Sequence, residues 1–107
     1  MKKAVFKYRK AGGIITERVI LRPQMLKEST NSLKDFNNPN TNYLHGYEID
    51  RSGMLDTEIA KYERLIEEYF TIAFPTLEAF LATNGLNPNK VQQKTFKKNQ
   101  IEDPQFL

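Results

Sequence analysis

Apolar and polar residues alternate along AVFKYR and again along IITERVILR, on either side of Gly12-Gly13. A period of two, rich in β-branched and aromatic residues, marks a strand, and paired glycines supply the positive φ angles of a tight type I′ connection. The pattern predicts a β-hairpin over residues 4–23. A turn centred on the glycines sets Phe6 opposite Val19, Tyr8 opposite Glu17, Lys7 opposite Arg18 and Val5 opposite Ile20. Ala4, Phe6, Tyr8, Val19 and Leu21 then share an apolar face, and Val5, Lys7, Arg9, Thr16, Arg18, Ile20 and Arg22 a strongly cationic one. Like charges directly opposite weaken a strand pair, so Lys7 against Arg18 points to nearby carboxylates or an anionic partner.

Pro23 is expected to end the second strand, because it cannot donate to a ladder and restricts Arg22 before it. The polar connection QMLKESTNSLKDFNNPNTN follows, with Asn37-Asn38-Pro39-Asn40 as a turn signal and Met25, Leu26, Leu33 and Phe36 expected in a short helical turn that pins it. Residues 42–49, NYLHGYEI, read as a third strand, in which Gly46 marks a bulge or a close backbone approach. Leu55, Ile59, Tyr62, Ile66, Tyr69 and Ala73 recur at helical spacing, with Leu65 and Phe70 widening the stripe and Asp56 placed to cap the helix start. Pro75 ends or kinks that helix near Phe74 and suits the start of another carrying Leu77, Phe80 and Leu81, closed by Asn84-Gly85. The pattern thus predicts a helical pair over about 56–84. Residues 90–101 fit a last strand, and the tail EDPQFL is expected to be mobile with Phe106 free to dock.

The length of 107 residues suits one small domain. The sequence contains no cysteine, which excludes disulfides, thiolate metal sites and cysteine nucleophiles and fits a reducing cytoplasm. No apolar run approaches the roughly 20 residues that span a bilayer. Net charge is +3, but Lys2, Lys3, Lys7, Arg9, Lys10, Arg18 and Arg22 crowd the first strands and Lys90, Lys94, Lys97 and Lys98 the last segment. This asymmetry favours an anionic partner at the strands; the alternative is a solvated sheet face, lysine-rich to discourage edge pairing.

Three segments together resemble bacterial WYL domains. KYRKAGGIITERVILRP is similar to their opening strand, glycine turn, Thr-x-Arg strand and proline, through Thr16, Arg18 and Pro23. NYLHGYEI matches the second and third letters of the family name with Tyr43 and Leu44, and KTFKKNQI matches the closing motif with Lys94, Phe96, Lys97 and Ile101. Asn42 stands where the family has tryptophan, Asn99 where it has an acid and Gln100 where it has arginine. The resemblance implies an SH3-like or Sm-like barrel, interrupted here by a helical insertion. It further implies sensing of nucleotide or nucleic-acid ligands through basic and aromatic positions, as in transcription regulators.

The chain is therefore read as α+β: a small, mostly antiparallel barrel or curled sheet with a two-helix insertion. Phosphate recognition needs fixed cations, and single-stranded nucleic acid adds aromatic platforms. Lys7, Arg9, Arg18, Arg22 and Lys94 are the candidates for the first and Tyr43 and Tyr47 for the second, the alternative being that both tyrosines belong to the core. His45 is the sole histidine, and neither it nor Glu48 and Asp50 has the spacing of a metal site. Glu63, Glu67 and Glu68 fit a solvated helix face. No nucleophile with a paired acid or base is discernible, so the expectation is a non-enzymatic binding module without cofactor or membrane span. The alternative is a protein-interaction or homodimerisation module in which Phe74, Phe80 and Leu81 of the helices form the contact.

Overall fold

A computed structural model describes residues 2–28 and 32–107 of the chain. Its contacts gather into two compact units, one of residues 1–48 and 93–107 and the other of residues 49–92. The architecture is α+β, with strands β1 (Lys3–Arg9), β2 (Ile15–Leu26), β3 (Ser32–Leu33), β4 (Tyr43–Ile49), β5 (Val91–Lys97) and β6 (Ile101–Phe106), and helices α1 (Asp56–Tyr69) and α2 (Leu77–Thr83). The strands run in the order β5-β4-β2-β1-β6, with β3 paired to the far end of β2. The sequence predicts a barrel or a curled sheet; the antiparallel sheet that forms is not closed.

The first hairpin forms in a register one residue away from the expected one. Val5 lies opposite Val19, Phe6 opposite Arg18, Lys7 opposite Glu17 and Tyr8 opposite Thr16. The cause is in the turn, where the Lys10 N–H donates to Ile14 O at 2.8 Å and the Gly13 N–H to Lys10 O at 3.0 Å. Gly12 and Gly13 do take φ of 89° and 84°, but the loop also takes in Ala11, and a one-residue slip moves every side chain to the other face. Phe6 and Arg18 therefore share a face, Lys7 meets Glu17, and the expected clash of Lys7 with Arg18 does not arise.

Pro23, expected to end the second strand, instead sits inside one, and so does Pro104 of the tail expected to be mobile. β2 continues through Pro23 to Leu26, and its pairing with β4 shifts by one residue between Leu21 and Gln24. Arg22 absorbs the extra residue at φ 53°. In β6, Asp103 at φ 50° precedes Pro104, and the pairing with β1 shifts between Val5 and Lys7. A left-handed residue followed by proline makes each bulge, spending the missing N–H where the ladder is already broken. The C-terminal segment expected to be mobile is thus an ordered strand, with Phe106 packed on Phe36 at 5.3 Å between ring centres.

The sheet core consists of Ala4, Phe6, Ile20, Met25, Leu44 and Phe96, with Tyr8, Leu33, Phe36, Ile101 and Phe106 against it. Gly46 belongs to this face because a Cβ there would lie 2.9 Å from Leu21 O, the close approach its position in a strand foretold. Met25 and Leu26 lie in β2 and not in a helical turn. The asparagine-rich stretch forms turns instead: Asp35 Oδ1 accepts from the Asn37 N–H and Asn38 Oδ1 from the Asn40 N–H, each at 2.9 Å.

In the helical unit, α1 buries Tyr62, Leu65 and Ile66, and α2 buries Leu77, Phe80 and Leu81. Leu55, not Asp56, is the N-cap of α1, and Glu58 reaches back to its N–H at 3.4 Å. α1 ends at Tyr69, before Pro75, and Thr76 caps α2 by accepting from the Ala79 N–H at 3.1 Å. Gly85, at φ 77°, ends α2, where the Leu86 N–H returns to Leu81 O at 3.0 Å. Phe80 and Leu81 are 5% and 1% exposed, so they form this unit's core and not a contact surface.

Candidate functional site

The seven residues expected to bind a phosphate ligand are distributed over both faces of the sheet. Alternation from the observed register puts Lys7 and Arg9 on the face away from the core and Arg18 on the core face. Lys7 pairs with Asp103 at 3.6 Å, and Arg9 with Glu102 at 3.6 Å while also donating to Asn99 O at 3.2 Å. Arg22 is the half-buried bulge residue of β2, and its N–H donates to Lys2 O at 2.9 Å. No single cationic surface collects these side chains.

Arg18 and Lys94 do come together, on Glu48. Arg18 Nη1 donates to both Glu48 oxygens at 2.9 and 3.2 Å, and Lys94 Nζ to Oε1 at 2.5 Å. Arg18 Nε also donates to Thr16 Oγ1 at 3.1 Å, and its guanidinium carbon stands 5.6 Å from the centre of the Phe96 ring. The side chains of Arg18 and Glu48 are 18% and 14% exposed, which makes this a tightly held ion triad at the rim of the sheet core. A carboxylate shared by two cations leaves the cluster net positive, but its geometry is that of a structural clamp across β2, β4 and β5.

Tyr43 and Tyr47 project to the opposite face from Leu44 and Glu48, along with His45. Tyr47 Oη accepts from Gln93 Nε2 at 3.2 Å, and His45 Nδ1 is 2.9 Å from Thr95 Oγ1. His45 therefore has the local hydrogen bond of a strand histidine. Among the described residues, no group of three or more His, Asp or Glu side chains is placed to hold a metal ion.

Tyr43 also borders an open groove of about 610 Å³, lined further by Glu28, Asn42, Lys97, Lys98 and Asn99. Its wall is built from the asparagine turn and the ends of β4 and β5. The Asn42 N–H donates to Leu26 O at 2.8 Å, and the Lys98 N–H to Asn42 O at 2.8 Å. Buried Thr41 ties the turn down by donating from Oγ1 to Asp35 O at 2.9 Å. Lys98 Nζ donates to Asn38 O at 3.1 Å and lies 5.3 Å from the Phe36 ring centre. Lys97 is exposed, and its ammonium has no hydrogen-bond or ion-pair partner among the described residues. A second open hollow shares Glu28, Pro39 and Asn42 and reaches Lys27.

The sequence reading did not name Lys97 and Lys98, which line this groove, among its candidate site residues, although Lys97 is one of the matched motif positions. The signal was the juxtaposition of two lysines with a turn rich in asparagine, which only the fold brings beside Tyr43. Comparison with protein-family models, curated proteins and solved structures finds no match to this chain. Among the described residues, no helix is long and apolar enough to cross a membrane.

Proposed function

We propose that the chain is a non-enzymatic binding module for a nucleotide or nucleic-acid phosphate, related in kind to WYL domains, with its site in the groove beside Tyr43. The observation that carries this reading is the unpartnered Lys97 ammonium next to Lys98, a tyrosine ring and the amides of Asn42 and Asn99. Cations attract phosphate, a ring offers a stacking surface, and amides can read base edges. Arg18 and Lys94 serve in this reading as the clamp that fixes β4 and β5, and Lys7 and Arg9 as partners of the β6 acids. In this reading the open antiparallel sheet stands where the family has its SH3-like or Sm-like barrel. Ligand sensing in a bacterial cytoplasm, as in transcription regulation, is the role that follows.

The test is fluorescence anisotropy of short labelled single-stranded DNA and RNA at two salt concentrations, using the native protein, Lys97→Glu and Tyr43→Ala. Affinity that falls steeply with salt, drops about tenfold in Lys97→Glu and loses about 1–3 kcal/mol in Tyr43→Ala supports the groove. No binding by the native protein at low salt overturns the reading.

A second reading, a protein-interaction module, is favoured by a different observation: Leu55, Phe70 and Ile72 of the helical unit are exposed. Because Phe80 is buried, the variant that tests this is Ile72→Asp, which alters the surface and spares the core. Sedimentation velocity of Ile72→Asp against the native protein reads the outcome.

A further inference from the structure

The groove beside Tyr43 does not stop at Asn42. It continues into the second hollow, also about 610 Å³, through Glu28, Pro39 and Asn42, which line both. All the lining residues belong to the sheet unit. A pocket for one small ligand encloses roughly 70–90% of its surface, and an open trough does not. A trough suits a strand, whose affinity accumulates from contacts repeated along its backbone.

The shared wall is set before any ligand arrives. Asn38 Oδ1 accepts from the Asn40 N–H at 2.9 Å, Thr41 Oγ1 donates to Asp35 O at 2.9 Å, and the Asn42 N–H donates to Leu26 O at 2.8 Å. The last bond ties the wall to the residue before Lys27, which lines the far hollow with Asn40. Like Lys97, Lys27 has no hydrogen-bond or ion-pair partner for its ammonium among the described residues. Each hollow thus has an uncommitted cation and a side-chain amide. Among the described residues, no ring lines the far hollow, so stacking is confined to Tyr43.

Glu28, common to both hollows, decides how a strand lies. A carboxylate repels phosphate but accepts hydrogen bonds from the exocyclic amine of a base such as cytosine. Phosphates therefore belong at the lysines and a base at the acid. We infer that the Lys27 hollow is a second phosphate subsite, and that the site takes a single strand of linked nucleotides and not a free mononucleotide. This rests on the proposed reading of the Tyr43 groove. One base stacks on Tyr43 with a phosphate at Lys97, a neighbouring base meets Glu28, and a further phosphate lies at Lys27.

Titration followed by amide nitrogen–proton NMR tests the inference, using cytidine and thymidine deoxynucleotides from a mononucleotide up to about eight linked units. The mononucleotide is expected to shift the amides of Tyr43, Lys97 and Asn99 alone. The oligomer is expected to shift Lys27 and Asn40 as well, and to bind about tenfold or more tightly. Lys27→Gln should lower the slope of log affinity against log salt by about 0.7 for the oligomer, with Lys27→Arg restoring it. Glu28→Gln should narrow the preference for cytidine over thymidine strands. A mononucleotide that binds as tightly as the oligomer overturns the inference and leaves the Tyr43 groove standing, as does an oligomer whose salt slope is unchanged in Lys27→Gln. No binding at any length overturns the groove reading itself, and this inference with it.

Discussion

The core of the sheet unit is assembled from residues as distant in the chain as Ala4 and Phe96, whereas the core of the helical unit lies within one continuous stretch from Ile49 to Gln92. The sheet unit also includes a half-buried ion triad, Arg18, Glu48 and Lys94, and three of its rings, Phe6, Tyr8 and Phe96, meet edge to face at 4.9–5.1 Å. The helical unit uses a neutral hydrogen-bonded pair: Tyr62 Oη accepts from the Asn87 N–H at 2.9 Å and donates to Asn87 O at 3.2 Å. Local contacts give the helical unit low loop-closure cost, and distant ones make the sheet unit dependent on register. The difference teaches where single substitutions act: in the helical unit through contacts between neighbours in the chain, in the sheet unit also through strand register.

The largest expected effect comes from emptying each core in turn. Phe96→Ala should cost about 3–5 kcal/mol and Leu81→Ala about 2–5 kcal/mol in denaturant unfolding. Hydrogen exchange sharpens the comparison, with protection lost first from β1, β2 and β4 in Phe96→Ala and from α1 and α2 in Leu81→Ala. Uniform loss in both variants would break it, by showing one cooperative unit. A smaller difference is expected between the polar devices. Glu48→Gln removes the shared carboxylate and leaves two cations side by side, at about 1–3 kcal/mol, while Tyr62→Phe removes a neutral hydroxyl that accepts one bond and donates another, at about 1 kcal/mol. Equal losses would mean that the triad does no more than an ordinary hydrogen bond.

The smallest effect concerns Asp50. Hydrogen bonds from the Ser52 hydroxyl and backbone N–H hold its carboxyl below the usual aspartate range, with Lys90 adding to this and slight desolvation opposing it. A lowered folded-state value means that the stabilisation is present above the ordinary aspartate pKa of about 3.9 and is lost as pH falls through the folded value. The difference in melting temperature between the native protein and Asp50→Asn should therefore shrink on acidification through that window. Because the group is fully exposed, a difference that grows in acid would contradict the assignment.

Much of the fold was legible where a local rule had one outcome. The strand alternation, the paired glycines, the close approach at Gly46 and the Asn84-Gly85 helix stop each follow from what one residue type permits. Register was not legible, because nothing local says whether Ala11 belongs to the strand or to the loop. Pro23 misled for a related reason: proline ends a strand or sits in a bulge, and the residue before it gives no sign which. The place of Tyr43 in a strand was legible, but the expected cationic face depended on the register and dissolved with it. Lys97 acquired its neighbours from a turn more than fifty residues away in sequence, a juxtaposition that periodicity does not encode.

β1 lies between β2 and β6, and this sets an order of events while the chain is being made. β1 and β2 are synthesised together near the start of this stretch, and α1 and α2 before β6. β6 emerges last, so one side of β1 stays without its partner until synthesis of this stretch is finished. During synthesis β1 therefore has β2 before it has β6, and the side of β1 awaiting β6 is the surface in need of protection.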